Sequence, residues 1–257
     1  MKLNYPITLS LLLGALLLGG CNRAESPVDP TPAARSGTGS TMLTFVEFEE
    51  NIEPYQTRLI VTPEFMRFDD GEGSLDFILF DRSKDIIYSV NSTDRTVLAV
   101  ERQHVAIEPP FALTLTQKNL GGIEDAPQIG GGQPQHYQFS ANGEPCFDAI
   151  LVPGLLPDVV AALRAFDDLL ASDSKVTFAM IPADLHNACD MSMSTFAPGR
   201  HLAYGFPIQE WSTNGDGRTL IDYDEQYQPD ASLFVLPTGY QHFTIQDFRE
   251  GKVQSQE

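Results

Sequence analysis

Period-two alternation in short runs, broken every few residues by turn-forming clusters, is the feature that most narrows the folds open to this chain. The run MLTFVEFEE at 42–50 sets Met42, Thr44, Val46 and Phe48 on one face. QTRLIVTP, EFMRFDD, DFILFD, DIIYSVN and RTVLAVE follow, all rich in β-branched and aromatic residues. Asp70-Gly71-Glu72-Gly73, Arg82-Ser83-Lys84 and Asn91-Ser92-Thr93-Asp94 separate them as turns. Connectors this short make consecutive strands antiparallel neighbours, because a parallel crossover needs a dozen residues or more. The first half reads as a β-meander.

A further strand is predicted over 107–118, after Pro109-Pro110, followed by a glycine-rich loop, GGIEDAPQIGGGQ. That loop lacks the terminal Lys-Ser/Thr and the strand-to-helix setting of a phosphate cradle, so it reads as a solvated linker. HYQFSANGEPCFDAILV then places Asn142-Gly143 between two alternating runs, a strong hairpin signal. One segment reads clearly as a helix, 157–172: Pro157 suits its first turn, Asp158 its positive end, and Val159, Leu163, Phe166 and Leu170 recur at helical spacing. ADLHNACDMSMS at 183–194 reads as a second, weaker helix. AYGFPIQEW and RTLIDYDE, joined by STNGDG, form another hairpin. This loop has Ser212 where a calcium loop starts with Asp, and Tyr223 where it ends with Glu, so it is a poor calcium site.

The chain begins with an apolar run, ITLSLLLGALLLGG, preceded by Lys2. The run is short for a bilayer-spanning helix, which needs about 20 residues, and fits the core of an export signal. Leu18-Gly19-Gly20-Cys21 resembles the lipobox of bacterial lipoproteins. The resemblance implies a signal peptide over 1–20, cleavage before Cys21, and lipidation (palmitate) there. An ordinary secretory signal ending near a cysteine is the alternative. Acyl chains stabilise membrane attachment by about 0.8 kcal/mol per buried methylene, so the mature protein is expected to be anchored, not spanning. Residues 21–41 hold prolines, glycines and small polar residues, and read as a flexible tether. Asn22, where inner-membrane lipoproteins often carry Asp, favours the outer membrane, facing the periplasm. Residues 42–248 then form a single domain and 249–257 a disordered tail.

The 42% hydrophobic content permits a real core, while the formal charge of −19 repels phosphate backbones and excludes nucleic acid as a partner. The same charge opposes anionic headgroups, leaving membrane contact to the anchor. With Cys21 lipidated, the remaining two of three cysteines, Cys146 and Cys189, are a pair in an oxidising compartment, and a disulfide is expected. The alternative is half a zinc site from His186, Cys189 and Asp190. No catalytic motif or cofactor signature is legible, and no metal site is expected. The five histidines are scattered singly, His186 with Asp190 and His201 being the nearest to a catalytic grouping.

DFILFDRSKDIIYSV, a strand bearing a lone cysteine, a helix, YGFPIQEW and a terminal SLFVLPTGY with Phe234, Pro237, Gly239 and Tyr240 resemble a group of bacterial lipoproteins of unknown function with a LolA/LolB-like domain. The resemblance implies an α+β fold: a strongly curved antiparallel sheet, a half-barrel, with one or two helices on its concave face. That architecture suggests a protein that binds or carries an apolar ligand, lipid or lipoprotein; the absence of a legible catalytic motif makes it non-enzymatic, and the apolar stripe of Val159, Leu163, Phe166 and Leu170, which must be buried, is expected to line or plug the cavity. The alternative function is a scaffold or envelope-assembly protein with a packed interior that binds another protein.

Overall fold

The computed structural model of the protein describes residues 39–252 apart from 124, 179, 183 and 184. The expected signal peptide, Cys21, nearly all of the tether and most of the tail lie outside the described residues. Ser40 is already buried, and β1 (Thr41–Glu49) starts one residue before the expected domain boundary.

The sheet is written in two directions. From β1 the chain steps outward through β2 (Ile52–Val61), β3 (Phe65–Asp69), β4 (Phe77–Asp81), β5 (Ile86–Asn91) and β6 (Thr96–Glu101), each antiparallel to the last, as the alternation predicts. It then crosses to the far edge, β7 (Leu115–Gly122), and returns inward through β8 (Gln135–Ala141) and β9 (Glu144–Val152). Helix α1 (Pro157–Phe178) and the short α2 (Ala188–Met191) precede β10 (Phe206–Ser212) and β11 (Gly217–Asp224). β11 pairs with β1 and joins the two wings. Finally β12 (Gln241–Thr244) adds parallel to β6, and α3 (Ile245–Arg249) follows it.

The order is β12-β6-β5-β4-β3-β2-β1-β11-β10-β9-β8-β7, one mostly antiparallel sheet of twelve strands in an α+β fold. The expected strongly curved half-barrel is corrected: the sheet is open, neither closed nor strongly curled. Closure needs edges that can pair in a common stagger. Here one edge has eight residues and the other only four.

Local chemistry explains most turns. Asn142 (φ 52°) and Gly143 (φ 85°) both take the left-handed conformation that a two-residue type I′ turn demands. The Asp81 carboxylate accepts from the backbone N–H groups of Ser83 and Lys84, and Asn91 Oδ1 from that of Asp94. The strand expected over 107–118 starts only at Leu115 and runs on into Gly121 and Gly122, the start of the glycine-rich segment that reads as a loop in the sequence. Pro109 and Pro110 offer no N–H to a ladder. A bulge between Asn119 and Gly121, in which the Gly121 N–H donates to Asn119 Oδ1 at 2.7 Å, carries pairing into the glycines.

The main core lies on one face of β1–β6, under α1. Val159, Leu163 and Phe166 are each 1% exposed, and Leu170 packs half-buried beside them. The Phe166 ring sits 5.3 Å from Phe68 and 5.9 Å from Phe80. Burying such a side chain contributes about 1.5–3 kcal/mol, so the helix is held by its stripe. It runs six residues beyond the expected end at Ser172. β1 presents Leu43 and Phe45 to this core, while Met42, on the face singled out by the sequence pattern, packs against the opposite side with Ile60, Phe65, Leu79 and Phe234. Both faces of this wing are covered.

Candidate functional site: a buried charge row and a disulfide-tied wing

Register aligns three charged residues across the joint between the wings. Glu47 on β1 faces Arg218 on β11, which faces Glu210 on β10. Arg218 holds Glu210 through Nε and Nη2, each 2.8 Å from Oε2. The other oxygen of Glu210 lies 2.9 Å from His201 Nε2. His201 is supplied by a 3₁₀ turn, Arg200–Ala203, entered through Gly199 at φ 57°. A Cβ on Gly199 would lie 2.7 Å from Asp167 Oδ2 and push that carboxylate aside, and the left-handed φ itself favours glycine. Phe147 meets the His201 ring edge-on at 5.6 Å, and Arg218 lies over the Phe45 ring at 5.0 Å.

The two carboxylates are driven apart. Burial pushes Glu210 up, but Arg218 and His201 outweigh it and hold the group at about 2. Glu47 is pushed up by burial, against the pull of Arg218 and a hydrogen bond from Thr57 Oγ1 at 2.7 Å. A pair displaced in opposite directions is the electrostatic pattern of acid–base sites. Access decides against chemistry at the centre of this row: Glu210 is 3% and Arg218 7% exposed. Their charge-assisted contacts fix the strand register at the joint.

A second buried cluster performs a similar task on the opposite face. Asp69 accepts from Arg58 Nε and Nη2 at 2.8 and 2.9 Å and from Arg67 Nε at 2.6 Å. Burial raises the Asp69 carboxyl, but the two guanidinium bonds carry it below the usual carboxylate range. Arg67 also donates to the Leu233 carbonyl at 2.7 Å, fastening the turn that carries Phe234.

Cys146 and Cys189 are bonded, with Cα atoms 5.2 Å apart. The bond ties α2, which continues into a π-helical turn over Ser192–Phe196, to the hairpin β8–β9. Asn187 caps α2, its Oδ1 accepting from the Cys189 N–H at 2.7 Å. With its sulfur in a disulfide, Cys189 is no metal ligand. His186 stacks on Phe178 at 3.8 Å and His201 pairs with Glu210, so the structure does not gather His186, Asp190 and His201. Among the described residues no three His, Cys, Asp or Glu side chains stand at metal-binding positions. In the STNGDG loop Asp216 Oδ1 accepts from the Glu50 N–H at 3.0 Å, locking two hairpin tips together. The charge row was missed from the sequence, although Glu47 shares the parity of Leu43 and Phe45.

No family model and no curated protein matches the chain. Among solved structures it is similar to an uncharacterized conserved protein from Thermus thermophilus, at 9% identity and a TM-score of 0.43, over 80% of this chain and 91% of that one. Two structures of PNGF-II match over 82% of this chain, at 9% and 10% identity and TM-scores of 0.37 and 0.38. The chain spans about a third (32%) of PNGF-II. No family assignment follows from likeness at this level. Among the described residues no helix is long and apolar enough to cross a membrane. The disulfide is what an oxidising, extracytoplasmic compartment permits.

Proposed function

We propose that this is a lipid-anchored envelope protein without enzymatic activity that works through its surface, as a scaffold or assembly factor binding another protein. Cys21 carries the anchor, on the periplasmic side of the outer membrane, and the domain is a flattened relative of the LolA/LolB-like lipoproteins. One observation carries the reading: the α1 stripe is spent on packing, with Phe166 wedged between Phe68 and Phe80. A carrier of apolar cargo keeps such a face free for its ligand. The exposed edge strand β7, eight residues long, is a further support, since an open edge can accept a partner strand.

The test is lipid analysis of protein extracted from native membranes, with hydrogen exchange of α1 in the presence and absence of envelope-lipid vesicles. The scaffold reading expects no stoichiometric bound lipid beyond the covalent acyl chains, and unchanged α1 protection. Bound lipid with altered α1 protection overturns it in favour of the carrier.

A further inference from the structure

The second wing leaves one sheet face partly open, on the side opposite the charge row. Register places Phe48, Gly217, Trp211, Asp148 and Gln138 side by side across five strands. Trp211 is the chain's single tryptophan and is half-buried, while Phe48 is 41% exposed. The His136 ring leans on the indole at 5.3 Å. Its Nε2 lies 2.7 Å from Asp148 Oδ1, and Gln138 Nε2 reaches the other oxygen at 3.5 Å. Between the two aromatic residues Gly217 adds no side chain. A Cβ there would lie 2.3 Å from the Glu210 carbonyl oxygen and 2.9 Å from Trp211 Cβ, so the gap is enforced by the backbone.

We infer that this face binds an uncharged saccharide chain. A pyranose ring has an apolar C–H face and a rim of hydroxyls, and asks for an aromatic plane beside planar donors and acceptors. Trp211 and Phe48 provide two planes on strands roughly 10 Å apart. Gln138 and the Asp148 carboxylate, fixed by His136, provide the hydroxyl partners. Register continues the row to Lys118 on β7, beside Gln138, so its one carboxylate, Asp148, is offset by one ammonium and the strip as a whole favours a neutral ligand. A polyanion is repelled by a net charge of −19. A cation finds no free carboxylate in this row, because Asp148 is engaged by His136 and Gln138. An apolar ligand would take from water the hydrogen-bonding positions that Gln138 and Asp148 still have beyond their contacts with each other and His136, and would offer nothing in return. This inference uses a different face from the packed helix, and neither reading depends on the other.

The single tryptophan makes the site its own reporter. The detergent-solubilised full-length chain is titrated with cellohexaose, chitohexaose and maltohexaose while indole fluorescence is followed. At least one should give a saturable change by millimolar concentration. Gln138→Ala and Phe48→Ala, both on the open face, should weaken that binding by about tenfold, and Trp211→Ala, read by calorimetry, should weaken it more. Phe48→Ala keeps the result interpretable if Trp211→Ala fails to fold. No saturable response to any of the three hexasaccharides overturns the inference. So does a response undiminished in both Gln138→Ala and Phe48→Ala.

Discussion

The two wings of the sheet solve the same problem by different means. The β1–β6 wing buries both faces: α1 covers one, and the turn carrying Phe234 covers the other. The β7–β9 wing has a small cluster on one face only, Phe139, Phe147, Leu151 and their neighbours, fastened by Cys146–Cys189. Where enough apolar area is buried the chain needs no covalent help. Where it is not, a crosslink that limits the unfolded ensemble makes up the difference. The thinner wing is also the one that keeps surface open to partners.

The largest expected effect tests the packed wing. Phe166→Ala should destabilise the protein by about 3–5 kcal/mol, read as a lower urea midpoint, because the site between Phe68 and Phe80 cannot collapse. A loss under about 1 kcal/mol would show that α1 does not carry this wing.

Replacing Cys146 and Cys189 by serine comes next, with an expected cost of roughly 3 to 4 kcal/mol in the chain-entropy model. The comparison predicts where it is felt: hydrogen-exchange protection should fall first in β8, β9 and α2, with α1 retained longest. Simultaneous loss in both wings would erase the distinction.

Acid acts on the joint. Glu210, held at about 2 in the folded state, contributes stability that is present above its ordinary value and is lost as pH falls towards 2; Asp69, in the β2–β3 cluster away from the joint, is also lowered and acts in the same direction. Glu47 is raised and works the other way, regaining stability as it is protonated. From Glu210 alone the expectation is a fall of about 2–3 kcal/mol between pH 5 and pH 2, to which Asp69 adds and which Glu47 opposes. In Glu210→Gln that pH dependence should be visibly shallower; an unchanged slope would assign the acid loss elsewhere.

Smallest of all, Lys118→Gln on the exposed β7 should shift stability by no more than about 0.5 kcal/mol. A larger loss would mean that the edge is less open than it looks.

Hairpins and the long helix were legible because their signals are local: Asn142-Gly143 dictates its turn, and the spacing of Val159, Leu163 and Phe166 dictates a buried stripe. Face assignment was less so. In MLTFVEFEE both parities carry apolar residues, since both sides of β1 are covered, and alternation alone does not say that Leu43 and Phe45 face the larger core. The parallel return of β12 onto β6 and the alignment of Glu47, Arg218 and Glu210 depend on pairings between distant segments, which no window of sequence contains. The open sheet was hidden for the same reason: curvature belongs to the set of twelve strands, not to any one of them.

The seam at β1 has a consequence for how the chain is made. β1 through β6 pair with nearest neighbours across loops of a few residues, so this half can assemble as soon as its own residues are free to fold. The other side of β1 must wait for β11, where Phe45 meets Leu220, after almost the whole domain has followed. For that interval the strand that ends up in the middle of the sheet is an unprotected border, and the moment at which it is sealed sets the pace at which this protein becomes safe from clinging to its neighbours.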